Sequence, residues 1–351
     1  MHVLFSSQHR GHATRPAMPG YADRYDEVPQ RVDAILAGLR ATGLGPVAEA
    51  WDHGLAPVLA VHETALVDFL RQAYAGSRGS LPGELPLLPD GYFAVRGSRR
   101  RPAGWQQQAG YYATDRDCPI LAGTWDAAYW SAQAALSAAD RVLAGQAAVY
   151  ALCRPPGHHA SASQYGGYCY LNNAAIAARH LQGRGRARIA IVDIDYHHGN
   201  GTQEIFYTDP TVLTCSLHAD PDQEYPYFWG GADELGSGAG LGANRNWPLP
   251  MGIDDADYLS ALELALAEVA ACQPDFLVVS AGFDLLAGDP SASSGGFGVS
   301  LEGVAQIGQR LARLALPTVI VQEGGYRLEQ LGEAAVRFLR QFDKLCQGEQ
   351  L

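Results

Sequence analysis

Short apolar runs rich in β-branched residues recur along the chain at Val3–Ser6, Ala147–Cys153, Ile189–Ile194, Val212–Leu217, Phe276–Ala281 and Thr318–Gln322. Their length and composition predict buried strands. Between them lie stretches with apolar residues at helical spacing: Arg31–Arg40, Gly123 to Gly145, Asn172–Leu181, residues 256–271 (Leu259, Leu262, Leu266 and Val269 on one face, with Asp254 placed to cap), about Leu301–Leu314, and a last one after Leu328. Strand and helix alternate in the later half, which predicts right-handed βαβ units and a mainly parallel sheet. The fold class expected is a single-domain, three-layer α/β/α architecture over residues 1–351. The segment 76–120 carries Gly, Pro and weak periodicity and reads as a long loop insertion. Residues from His218 through Asn246 read as a Gly-rich loop.

Four of the runs end in residues that bind metals or move protons. Ala147–Cys153 leads into Arg154-Pro155-Pro156-Gly157-His158-His159, and Ile189–Ile194 into Asp193-Ile194-Asp195-Tyr196-His197-His198-Gly199-Asn200. Phe276–Ala281 leads into Gly282-Phe283-Asp284, and Thr318–Gln322 into Glu323-Gly324-Gly325-Tyr326. In an open parallel sheet ligands bind beyond the carboxyl ends of the strands, so these segments should converge on one rim. Asp195 and His197 share a face of an extended segment, and Asp284 is the natural third donor. Two carboxylates and an imidazole suit a catalytic zinc, and Fe(II) or Co(II) would accept the same set. Leu285 and Leu286 follow Asp284, so the second carboxylate of a two-metal site is missing there. The prolines hold the His158 and His159 pair, whose imidazoles can serve as base and acid. A phenol at Tyr326 could donate to a developing oxyanion.

Composition removes several other classes. With 47% hydrophobic and 18% charged residues the chain can bury a core. A formal charge of −12 and a pI near 5.3 argue against a phosphate-tracking surface, and hence against nucleic acid as partner. The one compact basic run, Arg99-Arg100-Arg101, reads as a solvated loop. Six scattered cysteines without a C-x-x-C pair point to a reducing, cytoplasmic setting. The start lacks the basic and apolar regions of a signal peptide, and no run reaches the roughly 18 apolar residues of a membrane span. The Gly-rich stretch Gly236 to Ala243 follows no clear strand and opens no helix, which argues against dinucleotide binding. A G-x-S-x-G nucleophile elbow is absent.

These motifs, together with Gly166-Gly167-Tyr168 and Ser216-Leu217-His218, occur in an order that resembles the histone deacetylase superfamily across nearly the whole chain. Within it, Val3-Leu4-Phe5-Ser6, the long loop before Gly110-Tyr111-Tyr112 and Gly123-Thr124-Trp125 are most similar to bacterial acetylpolyamine amidohydrolases. The resemblance implies one zinc per subunit on Asp195, His197 and Asp284. It further implies His159 as general base and then acid, His158 as an electrostatic partner bonded to Asp193, and Tyr326 opposite. A structural potassium is implied near the zinc ligands, held by Asp193, by carbonyls of Asp193, Asp195, His197 and Leu217, and by the Ser216 hydroxyl. The Gly167 carbonyl would receive the substrate N–H, with Tyr168 and Tyr225 as channel walls.

Two departures bear on substrate. Asn200 stands where eukaryotic members commonly carry Asp, so His159 has a neutral orienting partner and a less elevated pKa. Trp105-Gln106-Gln107-Gln108 stands where the polyamine branch carries acids, with Asp115 and Asp117 following. Gln106 and Asp117 are the expected substrate-loop contacts. The activity expected is zinc-dependent hydrolysis of an N-acylated, acetylpolyamine-like small molecule by a homodimer. Neutral or xenobiotic amides, acetyl-lysine proteins and an inactive ligand-binding role are the alternatives.

Overall fold

A computed structural model describes residues 1–14, 25–81, 83–89, 100–183, 185, 188–293 and 295–347. The strands are β1 (His2–Phe5), β2 (Val47–Glu49), β3 (Ala148–Ala151), β4 (Ile189–Asp193), β5 (Val212–Ala219), β6 (Asn244–Leu249), β7 (Phe276–Ala281) and β8 (Thr318–Gln322). They form one eight-stranded sheet in the order β2-β1-β3-β8-β7-β4-β5-β6, and every pairing is parallel. The four motif-bearing runs are the four adjacent central strands β3, β8, β7 and β4, so their following residues share one rim.

Both sheet faces are covered. Alternate residues of one strand enter different cores: Ala190 and Val192 of β4 pack with Leu277, Val279 and Ile320, while Ile189 and Ile191 pack with Val278, Val319 and Val321. This explains why the strands read as continuous apolar runs rather than alternating ones. The covering helices are α1 (Gln30–Thr42), α2 (Ala56–Leu59), α3 (Thr64–Ser77), α4 (Trp105–Tyr112), α5 (Thr124–Leu143), α6 (Asn173–Gly183), α7 (Asn200–Phe206), α8 (Asp255–Cys272), α9 (Leu301–Ala312) and α10 (Leu328–Cys346). Asp254 caps α8, its side chain accepting from the amides of Ala256 and Asp257 at 2.9 and 3.1 Å. None of the described helices is long and apolar enough to cross a membrane.

Three expectations need correction. The 76–120 segment is not loop throughout: α3 runs to Ser77, and Trp105–Tyr112 is the helix α4, whose Trp105 and Tyr112 stack with Phe69 at 6.3 and 4.8 Å. Arg99 and the other members of 90–99 lie outside the described residues, whereas Arg100 and Arg101 are exposed. The chain around Asn246 is the edge strand β6, whose Pro248 is tolerated because an edge leaves one side of the ladder unused. Strand β1 begins one residue earlier than the apolar run and ends at Phe5.

Candidate active site

Just past β4 the backbone is pinned between its neighbours: the Ile194 amide donates to the Ser280 carbonyl of β7 at 3.0 Å, and the Tyr196 amide to Asp284 Oδ1 at 3.0 Å. The Gly324 amide donates to Asp195 Oδ2 at 2.7 Å. Asp284 thus has one oxygen fixed by an amide, while both Asp195 oxygens accept from amides, Oδ1 from that of His197 at 2.9 Å. Asp195 Oδ1 and Asp284 Oδ2 lie 3.4 and 3.2 Å from His197 Nδ1. One ligand atom from each of the three lies within 4.8 Å of the others.

Without a cation this arrangement is electrostatically costly. Burial, and then the neighbouring Asp195 charge, raise the Asp284 pKa, whereas the His197 imidazole, against the opposing effect of burial, is raised to about 10 by hydrogen bonds to Asp195 and Asp284. A divalent ion in place of that proton satisfies all three groups, so the residues fit the metal that the sequence implies. Gly324 makes room for the pair. A Cβ there would stand 2.2 Å from Asp284 Oδ2 and 2.5 Å from Asp195 Oδ2.

The imidazoles of His158 and His159 lie 4.0 Å apart, centroid to centroid. Their turn is held by Glu323, which accepts from the Gly157 and His158 amides at 2.6 and 3.2 Å. His158 Nδ1 faces Asp193 Oδ2 at 3.0 Å. Burial opposes its charge, but the Asp195 and Asp193 carboxylates prevail and raise it to about 10. His159 donates from Nδ1 to Asn200 Oδ1 at 2.7 Å, which leaves Nε2 as an acceptor. Burial, then the charges of His158 and His197, push its pKa well below the ordinary value. The pair thus holds one cationic and one neutral imidazole.

Tyr326 completes the ring of groups. Its amide and that of Arg327 donate to Asp289 Oδ2 at 2.7 and 3.0 Å. Arg31 donates to the carbonyls of Glu323 and Gly325 at 2.6 and 2.7 Å, and its guanidinium sits 4.5 Å from the Tyr326 ring centroid. Burial, despite the nearby Arg31 charge, raises the phenol pKa, so the O–H remains a donor.

A cavity of about 260 Å³ opens onto these groups, lined by His158, His159, Gly167, Tyr168, His197, Tyr225 and Tyr326, with Asp117, Glu224, Tyr227 and Ser291. Gly167 has φ +53, and a Cβ on it would meet His159 Cδ2 at 2.3 Å. Glycine is required by both conformation and space. Asp115 ties this wall together: its Oδ2 accepts from the Gly167 amide and the Tyr225 hydroxyl, both at 2.7 Å, and its Oδ1 from the Asp117 amide at 2.9 Å. Asp117 is raised to about 6, by burial first and then by Asp115.

Of the expected site residues, Gln106 is not among those lining the cavity. Aromatic packing of α4 on Phe69 anchors that helix against α3, and none of its residues lines the cavity. Among the residues implied for potassium, Asp193 and Ser216 line a separate internal cavity of about 10 Å³, with Ser216 Oγ 2.8 Å from His218 Nδ1. Their buried oxygens suit a hard cation. Asp195, His197 and Leu217 are not among that cavity's lining residues. Sequence reasoning assigned no role to Arg31, Glu224 or Asp289, and named Asp115 without one. Glu27, between Arg31 at 3.3 Å and Arg154 at 2.7 Å, also went unread.

The histone deacetylase domain model matches residues 25–342. The chain is 42% identical over 344 residues to acetylpolyamine amidohydrolase 1 of Pseudomonas aeruginosa, covering 97% of this chain and 98% of the relative. It is 44% identical over 325 residues to the acetylpolyamine amidohydrolase of Burkholderia pseudomallei, covering 91% and 92%. A crystal structure of acetylpolyamine aminohydrolase from Burkholderia pseudomallei superposes with a TM-score of 0.89 at 40% identity, covering 98% of this chain and 99% of that one. A rim that gathers two carboxylates, three imidazoles and a phenol, on a chain so matched from end to end, belongs to the histone deacetylase family.

Proposed function

We propose that the chain is a zinc-dependent amidohydrolase that cleaves the acyl group from an acetylpolyamine-like amine, with Asp195, His197 and Asp284 holding the metal. Bound zinc supplies Lewis-acid polarisation of the amide carbonyl and of the attacking water. His159 takes the water proton on Nε2, because Asn200 fixes its other nitrogen as a donor and its depressed pKa keeps it neutral. The same nitrogen then returns the proton to the leaving amine. His158, whose Nδ1 lies 3.0 Å from Asp193 Oδ2, is the electrostatic partner that offsets the negative charge developing beside it. Tyr326 donates its O–H to the oxyanion. The Gly167 carbonyl accepts the substrate N–H, and Tyr168 and Tyr225 flank the acyl-bearing chain.

The observation that carries the substrate class is the placement of Asp117 and Glu224 on the cavity wall, where a distal ammonium would meet negative charge. The named relatives support it. Acetylputrescine, acetyl-lysine peptides and uncharged anilides should be compared at one enzyme concentration. Acetylputrescine should show the highest kcat/KM, and Asp117→Asn should narrow its lead. An anilide that matches acetylputrescine refutes the cationic preference, and turnover unaffected by a chelator refutes the metal. Tyr326→Phe should lower kcat about 10²–10³-fold with substrate still bound.

Four further properties belong to the same proposal. Potassium sits beside Asp193 and Ser216, supported by their shared internal cavity; exchange for sodium should alter stability. Residues 1–351 act as one catalytic domain, supported by the continuous sheet; limited proteolysis should leave no independently stable half. The setting is cytoplasmic, supported by the free Cys118, Cys153, Cys169 and Cys215, all buried; cell fractionation tests it. The chain assembles as a homodimer through the 76–120 segment, tested by light scattering on a shortened variant.

A further inference from the structure

A second cluster of metal-ligand side chains lies away from the catalytic cavity and shares no residue with its lining. His53 follows β2, Asp140 lies near the end of α5, and His180 near the end of α6. His180 Nε2 is 2.8 Å from Asp140 Oδ1, and His53 Nδ1 is 3.9 Å from Asp140 Oδ2. The two rings meet edge to face at 5.6 Å, and one donor atom from each residue falls within 4.8 Å of the others. Donors about 2.0–2.1 Å from a tetrahedral zinc stand about 3.3 Å apart, and the two imidazoles approach the two oxygens of the one Asp140 carboxylate at 2.8 and 3.9 Å.

His53 is also held in an orientation that suits a ligand. Its main-chain amide donates to Gln133 Oε1 at 2.7 Å, and its Nε2 lies 3.3 Å from Ser137 Oγ. Metal-binding imidazoles are commonly fixed through the second nitrogen in this way, with the first turned to the ion, and His53 Nδ1 is turned towards the Asp140 carboxylate. The His53 and His180 side chains are 8% and 11% exposed, and the Asp140 carboxylate is 28% exposed. An ion could therefore enter from solvent on the Asp140 side and keep water as a fourth ligand.

We propose that His53, Asp140 and His180 form a second metal site, for a borderline divalent ion such as Zn²⁺ or Co²⁺. Two imidazoles and one carboxylate select such ions over Mg²⁺ or Ca²⁺, which prefer all-oxygen sites. The test is zinc titration of the full chain against a chromophoric chelator, with equilibrium dialysis for stoichiometry. Wild type should bind two equivalents. The His53→Gln/His180→Gln double variant should keep one equivalent and full turnover, while the other weakens at least about 100-fold. Asp195→Ala should also keep one equivalent, now without turnover, which separates this site from the catalytic one. Ser137→Ala should weaken the second equivalent about tenfold. A single equivalent in wild type overturns the proposal, as does a second equivalent that survives the double variant. If the double variant loses turnover through misfolding, Asp140→Asn with Co²⁺ gives the decision: persistence of the wild-type visible spectrum of the second ion also overturns it.

Discussion

Asp115 offers the sharpest test of how the cavity is held in shape. Its Oδ2 accepts from the Gly167 amide and the Tyr225 hydroxyl, both at 2.7 Å, so one charged atom joins the wall segment that carries the Gly167 carbonyl to the ring opposite. Hydrogen bonds to charged groups contribute about 1.5–3 kcal/mol each, and a donor left unpaired in a buried place costs about 1–3 kcal/mol. Asp115→Ala removes both bonds. Some of the loss is recovered by water and by relaxation of Tyr225, which leaves about 2–4 kcal/mol, or roughly 30- to 1,000-fold in kcat/KM if it is expressed in the site.

The assay is a double-mutant cycle with Tyr225→Phe, measured on acetylputrescine. Asp115→Ala and Tyr225→Phe both break the same bond, so the double variant should lose much less than the sum of the single losses. The expected coupling is about 1.5–3 kcal/mol. Strictly additive effects, or an Asp115→Ala enzyme within threefold of wild type, would show that the wall is shaped by packing alone and refute the reasoning.

Acid should destabilise the protein through His62, whose Nδ1 donates to the Ser161 carbonyl and whose Nε2 accepts from the Asn172 amide, both at 2.9 Å. Burial lowers its pKa to about 4 from an ordinary 6.5, so the unfolded chain binds the extra proton between those values; stability is intact above pH 6.5 and falls by about 3 kcal/mol as pH drops towards 4. Urea melts should show that slope reduced in His62→Gln, and an unchanged slope counts against the assignment. Gly324→Ala would drive a methyl into Asp284 and Asp195, so zinc affinity should fall at least about tenfold in a chelator competition; wild-type affinity contradicts the close approach. Arg31→Lys keeps the charge but cannot span Glu27 and the carbonyls of Glu323 and Gly325 with one fork, so kcat should fall about tenfold or more, and a silent variant would deny it a positioning role.

The rim was legible because its signals are local and redundant: four apolar runs, each followed within a few residues by ligand or acid-base side chains, are the four adjacent central strands. The helix at Trp105–Tyr112 carried a weaker signal. Trp105, Ala109 and Tyr112 fall at helical spacing, but Gly104, Gly110 and the nearby Pro102 dilute it, and the aromatic surface of Phe69 that stabilises it belongs to α3. Strand β6 was hidden for a different reason. Its residues Asn244, Arg245 and Asn246 show no apolar alternation, and it exists because β5 offers a free edge to pair with.

What escaped the sequence altogether is the support beneath the chemistry. Glu27 and Arg31 sit four residues apart, a spacing that ordinarily marks a solvated pair on a helix surface. Here both side chains are buried, and Arg154, four residues before His158, closes the group. A buried ion pair of this kind contributes little net stability, because desolvation offsets most of its Coulomb energy. Its value lies in direction: Glu27, itself held by Arg154, fixes Arg31 where it can donate to two carbonyls of the Tyr326 turn. Apart from the Glu27–Arg31 pair itself, the contacts join residues more than a hundred positions apart, as Arg31 is from Glu323 or Arg154 from Glu27. No local pattern along the chain could carry that information, since the identity of each partner is decided by the packing of the strands between them.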